Sequence, residues 1–157
     1  MKRILLLFFL ALFNGTASTQ IQYKNFNYTI NDGLTSNTIY DIDELKSGDL
    51  VLGTDNGLTL FNGQTFKTFT TKNGLLNPYI SCVKTDQYGG IWIGNYGKLY
   101  QYFDKGRFIT TSFNANGAYK IYTFGDSVLF VNKNNSYDKA KNTKNNFVEI
   151  VAHRNNL

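Results

Sequence analysis

Short apolar runs between turn residues recur along this chain at a fixed spacing. Leu50-Val51-Leu52-Gly53 is answered 41 residues later by Ile91-Trp92-Ile93-Gly94. The flanks repeat at the same offset: Asp32-Gly33-Leu34 with Asn73-Gly74-Leu75, Ile39 with Ile80, Ile42 with Val83, and Gly48 with Gly89. A period of about 40–45 residues that holds several short strands is the signature of a β-propeller blade. The runs are apolar at consecutive positions, so both faces of each sheet are expected to be covered, as in a blade sandwiched between two others.

Within the first unit the pattern predicts strands over residues 38–43, 49–54, 58–62 and 65–70. Ser47-Gly48, Asp55-Asn56-Gly57 and Asn62-Gly63 are the hairpin turns between them. The second unit repeats the plan at 79–84, 91–95, 98–102 and 107–111. A third unit is eroded. Residues 119–124 and 128–132 match the first two strands, 134–146 is a polar stretch holding a third strand and a loop, and 147–151 stands as an outer strand. Upstream, residues 21–30 read as one strand that leads into Gly33-Leu34 as 65–71 leads into Gly74-Leu75. Tyr28 thus stands where Phe69 stands.

The expected architecture is all-β, a partial β-propeller of two to three four-stranded antiparallel blades after a cleavable N-terminal signal helix. Residues 1–18 are the signal peptide and 19–33 the outer strand of an incomplete closing blade. Residues 34–70 and 71–111 are the first and second blades, 112–151 a degenerate third, and 152–157 a tail. Propellers generally have about 4–8 blades, so the array does not close. It is expected to be part of a longer product, the alternative being assembly with copies or partners.

Composition supports this picture and adds an address. Aromatic residues make up 16% of the chain and proline is single, which favours strands over helices. Lys2 and Arg3 precede the apolar run at 4–13, and small residues at 15–18 follow, as in a secretory signal peptide. The run is shorter than the about 20 apolar residues that a membrane span needs. Export is therefore expected, to the periplasm or cell surface of a Gram-negative bacterium, with no membrane contact once the signal is removed.

The formal net charge of +5 lies outside the repeats: residues 19–131 carry nine basic and nine acidic side chains. A nucleic-acid binder concentrates positive charge on a folded face, so no nucleic-acid partner is expected. Lone Cys82 excludes an internal disulfide and reads as a small, half-buried strand residue.

The repeat unit resembles the two-component regulator propeller repeat, whose pattern runs close to Gly-Leu-x-x-Asn, then Asp-x-x-Gly-x-Leu/Ile-Trp-Ile/Phe-Gly-Thr-x-x-Gly-Leu. The first unit supplies Gly33, Leu34, Asn37, Gly48, Leu50, Gly53, Thr54, Gly57 and Leu58, with Val51 in place of the aromatic and Leu45 in place of the turn Asp. The second supplies Gly74, Leu75, Asp86, Gly89, Ile91, Trp92, Ile93, Gly94 and Gly97, with Pro78 for Asn and Asn95 for Thr. The resemblance covers residues 28–111 well and implies a periplasmic sensor. Such repeats typically build the extracytoplasmic half of hybrid histidine kinases or membrane-anchored regulators, and many relatives respond to glycans. The implied partners are a glycan or another small ligand, and further propeller blades or a sensor kinase.

No catalytic constellation is legible. The single histidine, His153, lies in the terminal region far in sequence from Cys82. Asp41 and Asp43 share a strand face, yet the second unit has Cys82 and Lys84 there, and a glycosidase pair must face across a substrate. No metal-ligand spacing is present, no cofactor is implied, and the chain is not expected to be an enzyme. Asp86 is expected to accept backbone N–H groups in its own turn, and Trp92 to pack between blades, with a ligand platform as the alternative.

Asn37, Asp55, Asn56, Asn77, Tyr79, Asn95 and Tyr96 lie on connections that fall on one face of a propeller. Their amides, carboxylate and rings suit a sugar, although ordinary turn roles are the simpler account. The reading is an extracytoplasmic sensor or ligand-binding propeller segment of a two-component signalling protein. Its alternative is a secreted carbohydrate-binding or adhesive propeller, and behind both stands a glycan-cleaving propeller enzyme.

Overall fold

The computed structural model describes residues 22–95, 99–114, 120–132, 137–138, 143–144 and 147–153. The signal peptide at 1–18 and Tyr96 lie outside the described residues. Two four-stranded antiparallel sheets follow the meander that the hydrophobic pattern predicts. The first has the order β1 (Ile39–Glu44), β2 (Leu50–Thr54), β3 (Leu58–Phe61) and β4 (Phe66–Phe69). The second has β5 (Ile80–Thr85), β6 (Ile91–Asn95), β7 (Leu99–Asp104) and β8 (Arg107–Asn114). Their likeness extends to irregularities. The ladder slips between Ile39 and Asp41 in one and between Ile80 and Cys82 in the other, a bulge at the same repeat position.

Each sheet is entered through the same device. Thr29 and Thr70 cap short 3-10 turns, Ile30–Asp32 and Thr71–Asn73, with reciprocal bonds from Asp32 and Asn73. Gly33 and Gly74 end these turns in the left-handed region. Between β2 and β3, Gly57 has a φ of +137°, and a Cβ there would lie 2.3 Å from the Phe69 carbonyl oxygen, so only glycine fits.

The core lies between sheets. Val51, Leu58 and Phe69 of the first meet Ile80, Val83, Ile91, Ile93 and Phe103 of the second. Cys82, Trp92, Tyr100 and Tyr102 of the second meet Ile121, Val128 and Phe130 of the third. Alternation explains the division: odd-numbered residues of β6 face back and Trp92 faces forward. Polar clips join the strands at the centre of the array. Asp41 accepts from the Val83 N–H at 2.9 Å, and Asp43 from the Thr85 N–H at 2.6 Å and Lys84 Nζ at 2.9 Å.

Three expectations are corrected. The third sheet is three-stranded, with β9 (Lys120–Phe124), β10 (Ser127–Asn132) and β13 (Phe147–His153) in the order β13-β10-β9. β11 (Tyr137–Asp138) and β12 (Thr143–Lys144) form a separate two-stranded piece. The segment expected as an outer strand thus pairs directly with β10, takes the third position and runs on to His153, into the expected tail. The 134–146 stretch is too polar to compete for that place. Residues 22–29 carry no strand ladder: a strand needs a hydrogen-bonded neighbour, and none of the described sheets includes them. Cys82 is fully buried at 2% exposure, not half-buried. Its strand is covered by sheets on both sides.

Candidate functional site

The loops that enter the first sheet and leave its second strand meet in an open depression. Ile30, Thr35, Ser36, Asn37, Asp55 and Asn56 line it, around a volume of about 520 Å³. Its walls are held from below by threonines. The Thr35 hydroxyl lies 3.0 Å from Thr54 Oγ1 and 2.8 Å from Thr59 Oγ1, and Thr54 Oγ1 donates to the Gly57 carbonyl at 2.9 Å. Asn37 Oδ1 accepts from the Ile30 N–H at 2.9 Å, and Asn56 Nδ2 donates to the Thr35 carbonyl at 3.2 Å. Both amides keep one polar end unused by those bonds. Asp55 Oδ1 is buried and has no hydrogen-bond partner among the described residues. Buried carboxylate oxygens are normally satisfied, by protein groups or by ordered water, so this atom sets the loop apart.

The other candidates fall elsewhere. Asn77 closes a small turn by accepting from the Tyr79 N–H at 3.0 Å. The Tyr79 ring stands 4.5 Å, centre to centre, from that of Tyr40 on β1. Asn95 is 2% exposed, at the end of β6 opposite Ile80, so its burial keeps it from a ligand. The second sheet lacks the threonine set. Gln101 bridges its entry loop instead, accepting from the Leu76 N–H at 2.8 Å and donating to the Gly74 carbonyl at 3.0 Å. The depression is thus built by residues peculiar to the first unit. Thr35, Thr54 and Thr59, opposite Leu76, Asn95 and Gln101 in the repeat, were the overlooked signal.

The remaining repeat residues are structural. Asp86 accepts from the N–H groups of Tyr88 at 2.8 Å and Gly90 at 3.0 Å, and from the Tyr102 hydroxyl at 2.8 Å. Gly89 closes the same turn by donating to the Asp86 carbonyl. Leu45 heads the equivalent turn in the first sheet with the same backbone bonds and no carboxylate. Gly53 and Gly94 sit opposite Asp41 and Cys82, and Trp92 is 1% exposed in the core.

Two groups have shifted acidities. Burial pushes the Asp43 carboxyl up, but the Thr85 N–H, the Lys84 ammonium and the Thr85 hydroxyl outweigh it and leave the pKa below its ordinary 3.8. Burial, with a smaller push from Asp41, raises the Cys82 thiol to about 12. The thiolate is the reactive form, so Cys82 is no nucleophile at neutral pH. Among the described residues no group of three or more His, Cys, Asp or Glu side chains could hold a metal ion, and no helix is long and apolar enough to cross a membrane.

Comparison with known proteins agrees with this geometry. Residues 74–97, which include the first two strands of the second sheet, match the family model described as Two component regulator propeller. Histidine kinase P4 of Formosa agariphila is 36% identical over 66 residues, which are 42% of this chain and 5% of that protein. Among solved structures, the extracellular domain of a hybrid two component system from B. thetaiotaomicron superposes with a TM-score of 0.61. The match has 20% identity and covers 69% of this chain and 17% of that one. The chain therefore spans a small fraction of the proteins that it matches. Its fold is a partial propeller, and its repeat is of the two-component regulator type.

Proposed function

We propose that the chain is an extracytoplasmic, ligand-binding segment of a sensory propeller in two-component signalling, and that it catalyses nothing. The depression beside the first sheet holds the ligand, a glycan or a similar polyhydroxylated molecule. The observation that carries this reading is the buried, unpartnered Asp55 Oδ1 beside the amides of Asn37 and Asn56. A carboxylate and two amides offer acceptors and donors to adjacent hydroxyls, and the scaffold beneath fixes them in advance. The resemblance of the repeat to regulator propellers, and the likeness of the fold to the extracellular domain of a hybrid two component system, support the sensory role and export.

The test is a thermal-shift screen of the purified chain against a panel of neutral oligosaccharides. A ligand that binds only the folded state raises Tm with concentration. One or more oligosaccharides are expected to do so, and Asp55→Ala is expected to abolish the shift without lowering the unliganded Tm, since it removes an unsatisfied buried acceptor. No shift from any member, or shifts that persist in Asp55→Ala, would contradict the reading.

A further inference from the structure

Two tyrosines from neighbouring units meet beside the depression. Tyr40 falls where the ladder between β1 and β2 slips, so it stands outside the register of strand pairs. Such a bulge re-aims a side chain, and here it turns the Tyr40 ring towards the second sheet. There it meets the ring of Tyr79, the last residue before β5, at 4.5 Å between centres and 39° between planes.

Neither ring is needed by the fold of its own unit. The register places Ser81 at the bulge of the second sheet, where Tyr40 stands in the first. Thr38 stands in the first entry loop where Tyr79 stands in the second. The backbone is the same with either set: the Thr38 N–H donates to Ser36 Oγ and the Tyr79 N–H to Asn77 Oδ1, both at 3.0 Å. Nor is the pair needed to join the sheets, since Asp41 and Asp43 already clip β1 to β5 through the Val83 and Thr85 N–H groups. A purely structural pair would be buried like Phe69 on Phe103, which are 7% and 5% exposed, yet Tyr40 is 45% exposed. Both rings stand where two described sheets meet, so this exposure is not that of an outer face of the array.

The pair also lies close to the depression. Asn37 lines it, and three residues of chain reach at most about 11 Å, so a chain of two or more sugar rings can touch both places. We infer that Tyr40 and Tyr79 form a second subsite, an aromatic seat for the sugar ring next to the one held in the depression. This rests on the reading of the depression as a sugar site and deepens it: the ligand is an oligosaccharide. The ring on the aromatic seat is a pyranose of gluco or xylo configuration. With its ring hydroxyls equatorial, it carries axial C–H groups on both faces, lies flat on a phenol ring and keeps its hydroxyls at the rim. Tyrosine suits that use, as a rigid apolar body with a polar tip.

The test follows tyrosine ring signals and backbone amides by NMR while the purified chain is titrated with xylose, xylotetraose, glucose and cellotetraose. Tyr40→Ser and Tyr79→Thr each put in the residue that the other unit carries at that place, and they identify the two ring signals by their loss. At least one tetrasaccharide is expected to shift both ring signals to saturation and to bind about tenfold tighter than its monosaccharide. Each substitution is expected to remove that gain and leave monosaccharide binding unchanged, and Tyr40→Phe is expected to keep it. Saturating amide shifts at Asn37 and Asp55 with silent rings, or with affinities that neither substitution lowers, would overturn the second subsite and leave the depression reading standing. A substitution that weakens the monosaccharide as much as the tetrasaccharide would overturn it too, the pair then acting through the shape of the entry loops. Ring signals that move without those amides would keep the aromatic seat and sink the depression reading. No response to any of these sugars would sink both.

Discussion

Gly53 of the first sheet and Ile80 of the second touch so closely that a Cβ on Gly53 would lie 2.8 Å from Ile80 Cγ2. Val83 Cγ1 stands behind it at 3.2 Å. The glycine of the Leu-Val-Leu-Gly run is therefore there to let two sheets approach. Gly53→Ala is expected to push them apart and to cost about 1–3 kcal/mol, the usual range for overpacking. Urea unfolding should show a lower midpoint with an unchanged slope. An unchanged midpoint would mean that the interface is looser than the geometry indicates.

Asp86 and Tyr102 lock the second sheet's turn to its third strand. Tyr102→Phe leaves Asp86 Oδ2 without the hydroxyl that donates to it at 2.8 Å. The expected loss is about 1–3 kcal/mol, the cost of an unsatisfied buried acceptor. Gly90→Ala should be worse, because a Cβ there would fall 1.7 Å from the Tyr102 hydroxyl oxygen. Chemical denaturation of the two variants checks the order.

Asp43 predicts an acid-sensitive junction between the first two sheets. Its folded pKa lies below 3.8 because Thr85 and Lys84 stabilise the carboxylate. A depressed carboxyl contributes stability above its unfolded pKa and loses it as pH falls through the folded value. The unfolding free energy of the wild type should therefore drop as pH falls from the ordinary carboxylate range towards the lower folded value. In Asp43→Asn that part of the pH dependence should be missing. Parallel pH profiles of the two proteins would contradict it.

Cys82 should be chemically silent in the folded protein. Burial raises its thiol to about 12 and leaves it 2% exposed. Iodoacetamide at neutral pH is expected to label it only in denaturant, at a rate that follows unfolding. Rapid labelling of the native chain would show that the second and third sheets separate readily.

The fold was legible where the repeat was intact. The uninterrupted apolar runs Leu50-Val51-Leu52 and Ile91-Trp92-Ile93, with the turn residues around them, placed eight strands, because a sheet covered on both sides is apolar at successive positions. The third unit was not, since no turn glycine follows β10 and a polar stretch separates it from β13, the third strand of its sheet. Residues 22–29 read as a strand by composition, but a strand also needs a ladder partner. At the site, Asn37, Asp55 and Asn56 were legible as loop residues above one strand end. Asn95 was not: it ends β6, a strand buried along its whole length, which the loop reading did not foresee. The threonines beneath the depression were missed for a similar reason: they converge only once β2, β3 and the entry loop are in register.

The central claim is that the depression under Asn37, Asp55 and Asn56 is where this segment takes its ligand. The most direct measurement is amide-resolved NMR of the labelled chain during titration with the oligosaccharide panel. The account predicts shifts that saturate and that concentrate on the amides of Thr35, Ser36, Asn37, Asp55 and Asn56, with the second sheet's Leu76 and Asn77 little changed. Saturating shifts centred elsewhere, or none with any oligosaccharide, would contradict it.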